Sequence, residues 1–281
     1  MNPWVQGLLD RKVSSVGSAG KRFTGPFSES ASPHLPQAKE EHVVPWVQGL
    51  LFLYIFMLEN DIIYDNRIMR YMKVFIGEEE YMISDKVKNI VFDVGMVLID
   101  FCWAQHCRKL GFSDKIIEAF DQHMISSCYW DQMDEGTICE EDAIAEFIKA
   151  MPQYKEQIEI FWKHPEGFVK EYDYSTPMIL HLQEKGYKVF LLSNYPLGMY
   201  HVHWPSFTFY DKVDGYVVSA VERMKKPSKE IYELLCSRYQ LEAEECLFVD
   251  DRKVNVDAAI SVGMEAVLFE GYEQLAKYLN I

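Results

Sequence analysis

From Lys86 onward, short apolar runs alternate with longer stretches of helical period. Lys88–Asp93 (KNIVFD), Lys188–Ser193 (KVFLLS), Asp214–Ser219 (DGYVVS), Cys246–Asp250 (CLFVD) and Glu265–Phe269 (EAVLF) are rich in Val, Ile, Leu and Phe. Runs of that length and composition suit strands of a parallel sheet buried on both faces. Helices are predicted over 175–185, 227–239, 254–262 and 271–279. Pro227 fits a first helical turn, where a missing N–H costs nothing, and Gly186 fits a helix end. Strands alternating with helices imply right-handed crossovers and a doubly wound α/β fold.

One interval breaks the rhythm. Between Asp93 and Lys188 there is no convincing strand, and residues 103–111, 113–125, 140–150 and 155–163 read as helices. An insertion after the first strand emerges at the C-terminal edge of the sheet, where α/β folds bind ligands. It reads as a helical cap.

The first 81 residues follow neither pattern. Residues 11–42 are rich in Ser, Gly, Pro and charge without hydrophobic period, the composition of a disordered arm. The heptapeptide Pro-Trp-Val-Gln-Gly-Leu-Leu occurs at Pro3–Leu9 and again at Pro45–Leu51, which reads as a local duplication or as upstream sequence ahead of a natural start at Met82. Val43–Leu58 is apolar but interrupted by Pro45, Gln48 and Gly49, and falls short of the roughly 20 residues a spanning helix needs. Lys21, Arg22 and Lys39 upstream keep a signal anchor as the minority reading, and no membrane role is expected.

Composition narrows the partners. With 49% hydrophobic and 25% charged residues the 281-residue chain is an ordinary soluble globular protein, large enough for one core and a smaller cap. A formal net charge of -15 repels nucleic acid and anionic membranes, although a local positive site still admits a small anionic substrate. None of Cys102, Cys107, Cys128, Cys139, Cys236 and Cys246 forms a CxxC pair, so reduced thiols in a cytoplasmic protein are expected.

Four segments put polar groups at strand ends or helix starts. Asp93 ends the first strand and offers a carboxylate for covalent attack, with Gly95 two residues on allowing close backbone approach. Ser193-Asn194 offers a hydroxyl and a backbone N–H to phosphoryl oxygens. Lys226-Pro227 places a cation at a helix start, and Asp250-Asp251 supplies the hard oxygen ligands that Mg²⁺ prefers. Singly, each is more often a cap, a turn or a solvated surface group. Together and in this order they are hard to obtain by chance.

The order Asp93, Ser193, Lys226, Asp250-Asp251 resembles the four motifs of the haloacid dehalogenase (HAD) superfamily, over about Lys86 to Ile281. The branch it is most similar to is the bacterial glucose-1-phosphatase-like one, on the FD-x-G-x-V segment, Trp130 through Gly136, the LLSN strand, Ser219 and MKKPSKEIY. The resemblance implies a Rossmann-like core over 82–101 and 171–281, a helical cap over 102–170, and Mg²⁺. It implies a phosphatase of small phosphorylated metabolites, sugar phosphates among them, acting through an aspartyl-phosphate on Asp93. Asp93, the Gly95 carbonyl and Asp250 would hold the ion. Asp251 would orient water or the lysine, and Ser193, Asn194 and Lys226 would bind the phosphoryl group.

Gly95 departs from the pattern. Typical family phosphatases carry there an Asp that protonates the leaving group. Its absence leaves three readings: a good leaving group, a substitute acid with Asp100 and Glu135 as candidates, or slow turnover. It also leaves a metal-independent 2-haloacid dehalogenase and a non-catalytic binding protein as alternatives. Asp250-Asp251 argues against the dehalogenase, because paired carboxylates without a cation repel each other. His201 and His203 are expected on one face of a strand, without a third ligand for a metal. The cap tryptophans Trp103, Trp130 and Trp162 are read as core, with one of them held in reserve against a substrate ring.

Overall fold

The computed structural model describes residues 83–281. The readings of the Ser/Gly/Pro-rich stretch, the repeated heptapeptide, the Val43–Leu58 run and the Met82 start lie outside the described residues.

The central sheet consists of β1 (Asn89–Phe92), β4 (Lys188–Ser193), β5 (Gly215–Val218), β6 (Cys246–Asp250) and β7 (Glu265–Leu268), in the order β5-β4-β1-β6-β7 with every pairing parallel. β1 is therefore flanked by β4 and β6, and the three strands that end in Asp93, Ser193 and Asp250 lie side by side. Alternate residues serve opposite cores. Ile90, Phe92, Leu191 and Val249 pack on one face with the inserted helices, while Val91, Phe190, Leu192 and Phe248 pack on the other. Burial on both faces is why these strands read as continuous apolar runs rather than alternating ones.

The sheet is crossed by α6 (Ser175–Glu184), α7 (Leu197–His203), α8 (Ser219–Glu222), α9 (Lys229–Tyr239), α10 (Lys253–Ser261) and α11 (Tyr272–Leu279). Gly186, at φ +93°, follows the end of α6. Its N–H donates to the Gln183 carbonyl, and that of Tyr187 donates to Leu182. Pro227 does not enter α9, contrary to expectation. Ser228 is the extended N-cap residue, and its hydroxyl is engaged by Glu230.

The insertion holds α1 (Trp103–Lys109), α2 (Asp114–Phe120), α3 (Cys128–Glu135), α4 (Glu140–Ala150) and α5 (Lys155–Trp162). The single helix expected over 113–125 is α2 followed by a wider turn at Asp121–Ile125, and α3 was not expected as a helix. Ser127 caps α3 by accepting from the Trp130 N–H at 3.2 Å, and Gly136 at φ +72° ends it. Glu140, Glu141 and Asp142 open α4 and Lys149 lies in its last turn, which suits the helix dipole. A second, antiparallel pair, β2 (Ile99–Phe101) with β3 (Val169–Glu171), brackets the helices and carries the chain out of the core and back. Among the described residues no helix is long and apolar enough to cross a membrane.

Candidate active site

At the C-terminal edge of β1, β4 and β6 lies a cavity of about 200 Å³. Asp93 stands at its base. Its backbone N–H donates to the Val249 carbonyl at 2.8 Å, and its Oδ1 accepts from the Val94 N–H at 2.7 Å. The turn then closes on itself through Leu98 and Ile99 N–H to the Val94 carbonyl and Met96 N–H to that of Ile99. Met96 sits at φ +60°, a conformation uncommon for a residue with a Cβ, and its half-exposed side chain lines the cavity.

Lys226 is almost fully buried between two acids. Its Nζ lies 2.8 Å from Asp93 Oδ1 and 2.7 Å from Asp250 Oδ2. Asn194 holds the lysine's backbone with two bonds, Oδ1 accepting from its N–H and Nδ2 donating to its carbonyl, both at 2.9 Å. Burial alone would lower the lysine's pKa, but Asp93 and Asp250 outweigh it and leave the ammonium favoured. Burial pushes Asp93 up to about 7, with Lys226 working against the shift and Asp250 adding to it.

The two adjacent acids divide the work in an unexpected way. Both oxygens of Asp250 are engaged, by Lys226 Nζ, by the Arg252 N–H and by Asn255 Nδ2, and the residue does not line the cavity. Asp251 does line it, and its pKa is raised by burial and then by Asp250. One oxygen from each of Asp93, Asp250 and Asp251 falls within 4.8 Å of the others. Hard oxygen donors gathered around a single lysine fit a divalent cation of the Mg²⁺ type. Ser193 is buried with its Oγ unpaired, one residue before Asn194, and is not itself a lining residue.

Other expectations shift. His201 and His203 lie on α7, not on a strand. His203 is buried and fully engaged, Nδ1 with the Tyr195 hydroxyl at 2.7 Å and Nε2 with the Pro165 carbonyl at 2.6 Å, which leaves it no lone pair for a metal. Of the three cap tryptophans only Trp130 lines the cavity. Asp100 and Glu135 do not, and the acid of the inserted helices that does is Asp134, one turn beyond Trp130 on α3. It was missed because α3 went unplaced. Trp130, Met133 and Asp134, at i, i+3 and i+4, mark the inward face once the helix is known.

A parallel sheet that ends in a buried carboxylate, an acid pair and a lysine, beneath inserted helices, places its polar groups where α/β enzymes bind their ligands. The chain belongs to the haloacid dehalogenase-like hydrolases, whose family model matches residues 87–263. It is 29% identical over 178 residues to the sesquiterpene phosphatase astK of Aspergillus oryzae, covering 63% of this chain and 87% of that one. A HAD family enzyme of Bacteroides thetaiotaomicron superposes with a TM-score of 0.55 at 25% identity, over 68% of this chain and 97% of its own. That enzyme has also been crystallised with magnesium and inorganic phosphate. A dehalogenase structure at 17% identity and a TM-score of 0.55, over 67% of this chain and 87% of its own, shares the fold.

Proposed function

We propose that the protein is a Mg²⁺-dependent phosphatase of small phosphate monoesters, with Asp93 as the nucleophile. The observation that carries this reading is the ammonium of Lys226 locked between Asp93 and Asp250 at the mouth of three adjacent strands. Asp93, Asp251 and the Gly95 carbonyl would hold the ion. Asp250, the ligand the motif order implies, also offers an oxygen to this group while serving as counter-ion to Lys226. Bound there, Mg²⁺ supplies positive charge to phosphoryl oxygens that three carboxylates would otherwise repel.

The residues of the chain divide the remaining tasks. Asp93 attacks phosphorus, and the ester oxygen leaves as an acyl phosphate forms on the carboxylate. Lys226 neutralises charge on the phosphoryl group, and Asn194 fixes the lysine's backbone. The unpaired Ser193 hydroxyl is a donor that a phosphoryl oxygen would satisfy, since a buried hydroxyl left without a partner costs about 1–3 kcal/mol. Water then opens the acyl phosphate and returns Asp93.

Much of the cavity wall is apolar, formed by Met96, Ile99, Phe101, Trp130, Val169 and Met199. Such a wall offers little to sugar hydroxyls and favours an apolar or aromatic alcohol, a preference that the sesquiterpene phosphatase relative supports. A reducing, cytoplasmic setting is proposed on the cysteine spacing alone. The test is phosphate release from a panel of apolar, nucleotide and sugar phosphates, with and without Mg²⁺, for the wild type and Asp93→Asn. Release that requires both Mg²⁺ and Asp93 is expected. Release that survives without either would refute the reading, and halide release from 2-haloacids would replace it with the dehalogenase.

A further inference from the structure

The segment Trp130–Gly136 and the residue Ser219 have no part in the phosphoryl chemistry above, yet the fold brings them together. Ser219 Oγ accepts from the Tyr195 N–H at 2.9 Å and donates to the backbone carbonyl of Asp134. Gly136 lets the end of α3 press against α8, because a Cβ there would lie 2.3 Å from the Ala220 carbonyl oxygen. Lys225 pairs with the Asp131 carboxylate and donates to its carbonyl at 3.2 Å. Helix α3 is thus fastened to the core at three points, two of them at its C-terminal end and one, through Lys225, beside the motif lysine.

This docking sets Asp134 into the wall of the cavity that Asp93 and Lys226 also line. No hydrogen bond or ion pair ties its carboxyl among the described residues, since Lys225 reaches Asp131 and Glu135 instead. Gly95, which lines the same cavity, leaves open space: a Cβ at that position meets nothing within 4 Å. The site therefore holds a nucleophile, a phosphoryl cradle and one uncommitted acid.

We infer that Asp134, carried on the inserted α3, is the proton donor for the leaving group, which rests on the phosphatase reading. As Asp93 bonds to phosphorus, the phosphorus–oxygen bond to the alcohol breaks and the Asp134 proton passes to that oxygen, releasing the free alcohol. The resulting Asp134 carboxylate takes a proton from the water that attacks the acyl phosphate. Phosphate leaves, Asp93 is regenerated, and Asp134 is again protonated. Burial keeps Asp134 suited to this exchange, pushing its carboxyl up to about 7 against Lys225, with Asp131 and Asp93 adding to the rise and Arg252 opposing it. The catalytic acid is held in place by the same contacts that close α3 onto the core.

The test compares wild type and Asp134→Asn on a simple alkyl phosphate and on dinitrophenyl phosphate, with Mg²⁺. The reading is kcat/KM, which covers the step that expels the alcohol and not the later hydrolysis. Asp134→Asn should lower it by about 10²-fold or more on the alkyl ester, the usual worth of a general acid. The loss on dinitrophenyl phosphate, whose leaving group departs without a proton, should be under about tenfold. Asp134→Glu should keep part of the alkyl turnover, and Gly95→Asp added to Asp134→Asn should restore some of it. Equal losses on both esters with no recovery by Asp134→Glu, or no loss on either, would overturn the inference while leaving the phosphatase intact. A wild type that releases phosphate from neither ester would overturn both.

Discussion

Replacing Lys226 by Met removes the one cation between Asp93 and Asp250 while keeping an apolar stem in place. The ammonium lies 2.8 and 2.7 Å from the two carboxylates, and its side chain is 1% exposed. At an effective dielectric near 20 each such pair attracts by at least about 4 kcal/mol, most of it offset by desolvation of the three ions. Without the lysine the two buried carboxylates lose their counter-charge, and a broken buried pair typically costs about 3–5 kcal/mol. For a domain of this size that is a fall in Tm of roughly 6–20 °C. Thermal and urea denaturation in chelator would measure it. Millimolar Mg²⁺ should recover part of the loss, because a dication returns charge to the same acids. A loss under about 1 kcal/mol would refute the reasoning, since it would place the lysine among solvent-screened surface pairs.

Three further outcomes follow from the same geometry. Asp251→Asn should raise the Mg²⁺ concentration for half-maximal activity by at least about tenfold with little change in Tm, whereas Asp250→Asn should lower Tm by leaving Lys226 with one partner; metal titration with melting curves separates them. Gly136→Ala should destabilise by more than about 1 kcal/mol in urea and lower turnover, because it adds a Cβ at φ +72° against the Ala220 carbonyl. Asp134 is raised from 3.8 to about 7, so across that window the folded chain keeps a proton the unfolded chain has lost. Its contribution to stability is present below the unfolded value and is lost as pH rises through the folded one. Relative to wild type, Asp134→Asn should therefore gain Tm from about pH 5 to about pH 8, and a difference that is flat with pH would contradict the shifted carboxyl.

The sheet was legible because its strands are buried on both faces. Each leaves an apolar run, and each functional strand stops at a buried polar residue, Asp93, Ser193 or Asp250, that breaks the run. The pair β2 and β3 was not, since three residues such as Ile-Asp-Phe carry no period and their pairing joins distant parts of the chain. Side-chain direction was the other limit. Adjacency in sequence could not tell Asp250, turned under Lys226, from Asp251, turned to the cavity. Which acid of α3 lines the cavity was illegible for the same reason. Glu135 and Asp134 are neighbours in the chain, and only the helix that docks through Ser219 and Gly136 decides which faces inward. His203 read as a strand residue because alternation over three positions is too short to tell from one helical turn.

The central claim is that Asp93 bonds to phosphorus. Wild type mixed with a phosphate ester and Mg²⁺ can be acid-quenched within the first turnovers and digested for mass spectrometry. A phosphoryl group on the peptide that carries Asp93, labile to hydroxylamine and absent in Asp93→Asn, is the predicted result. Phosphate release with no adduct at Asp93, or with an adduct on another residue, would contradict it.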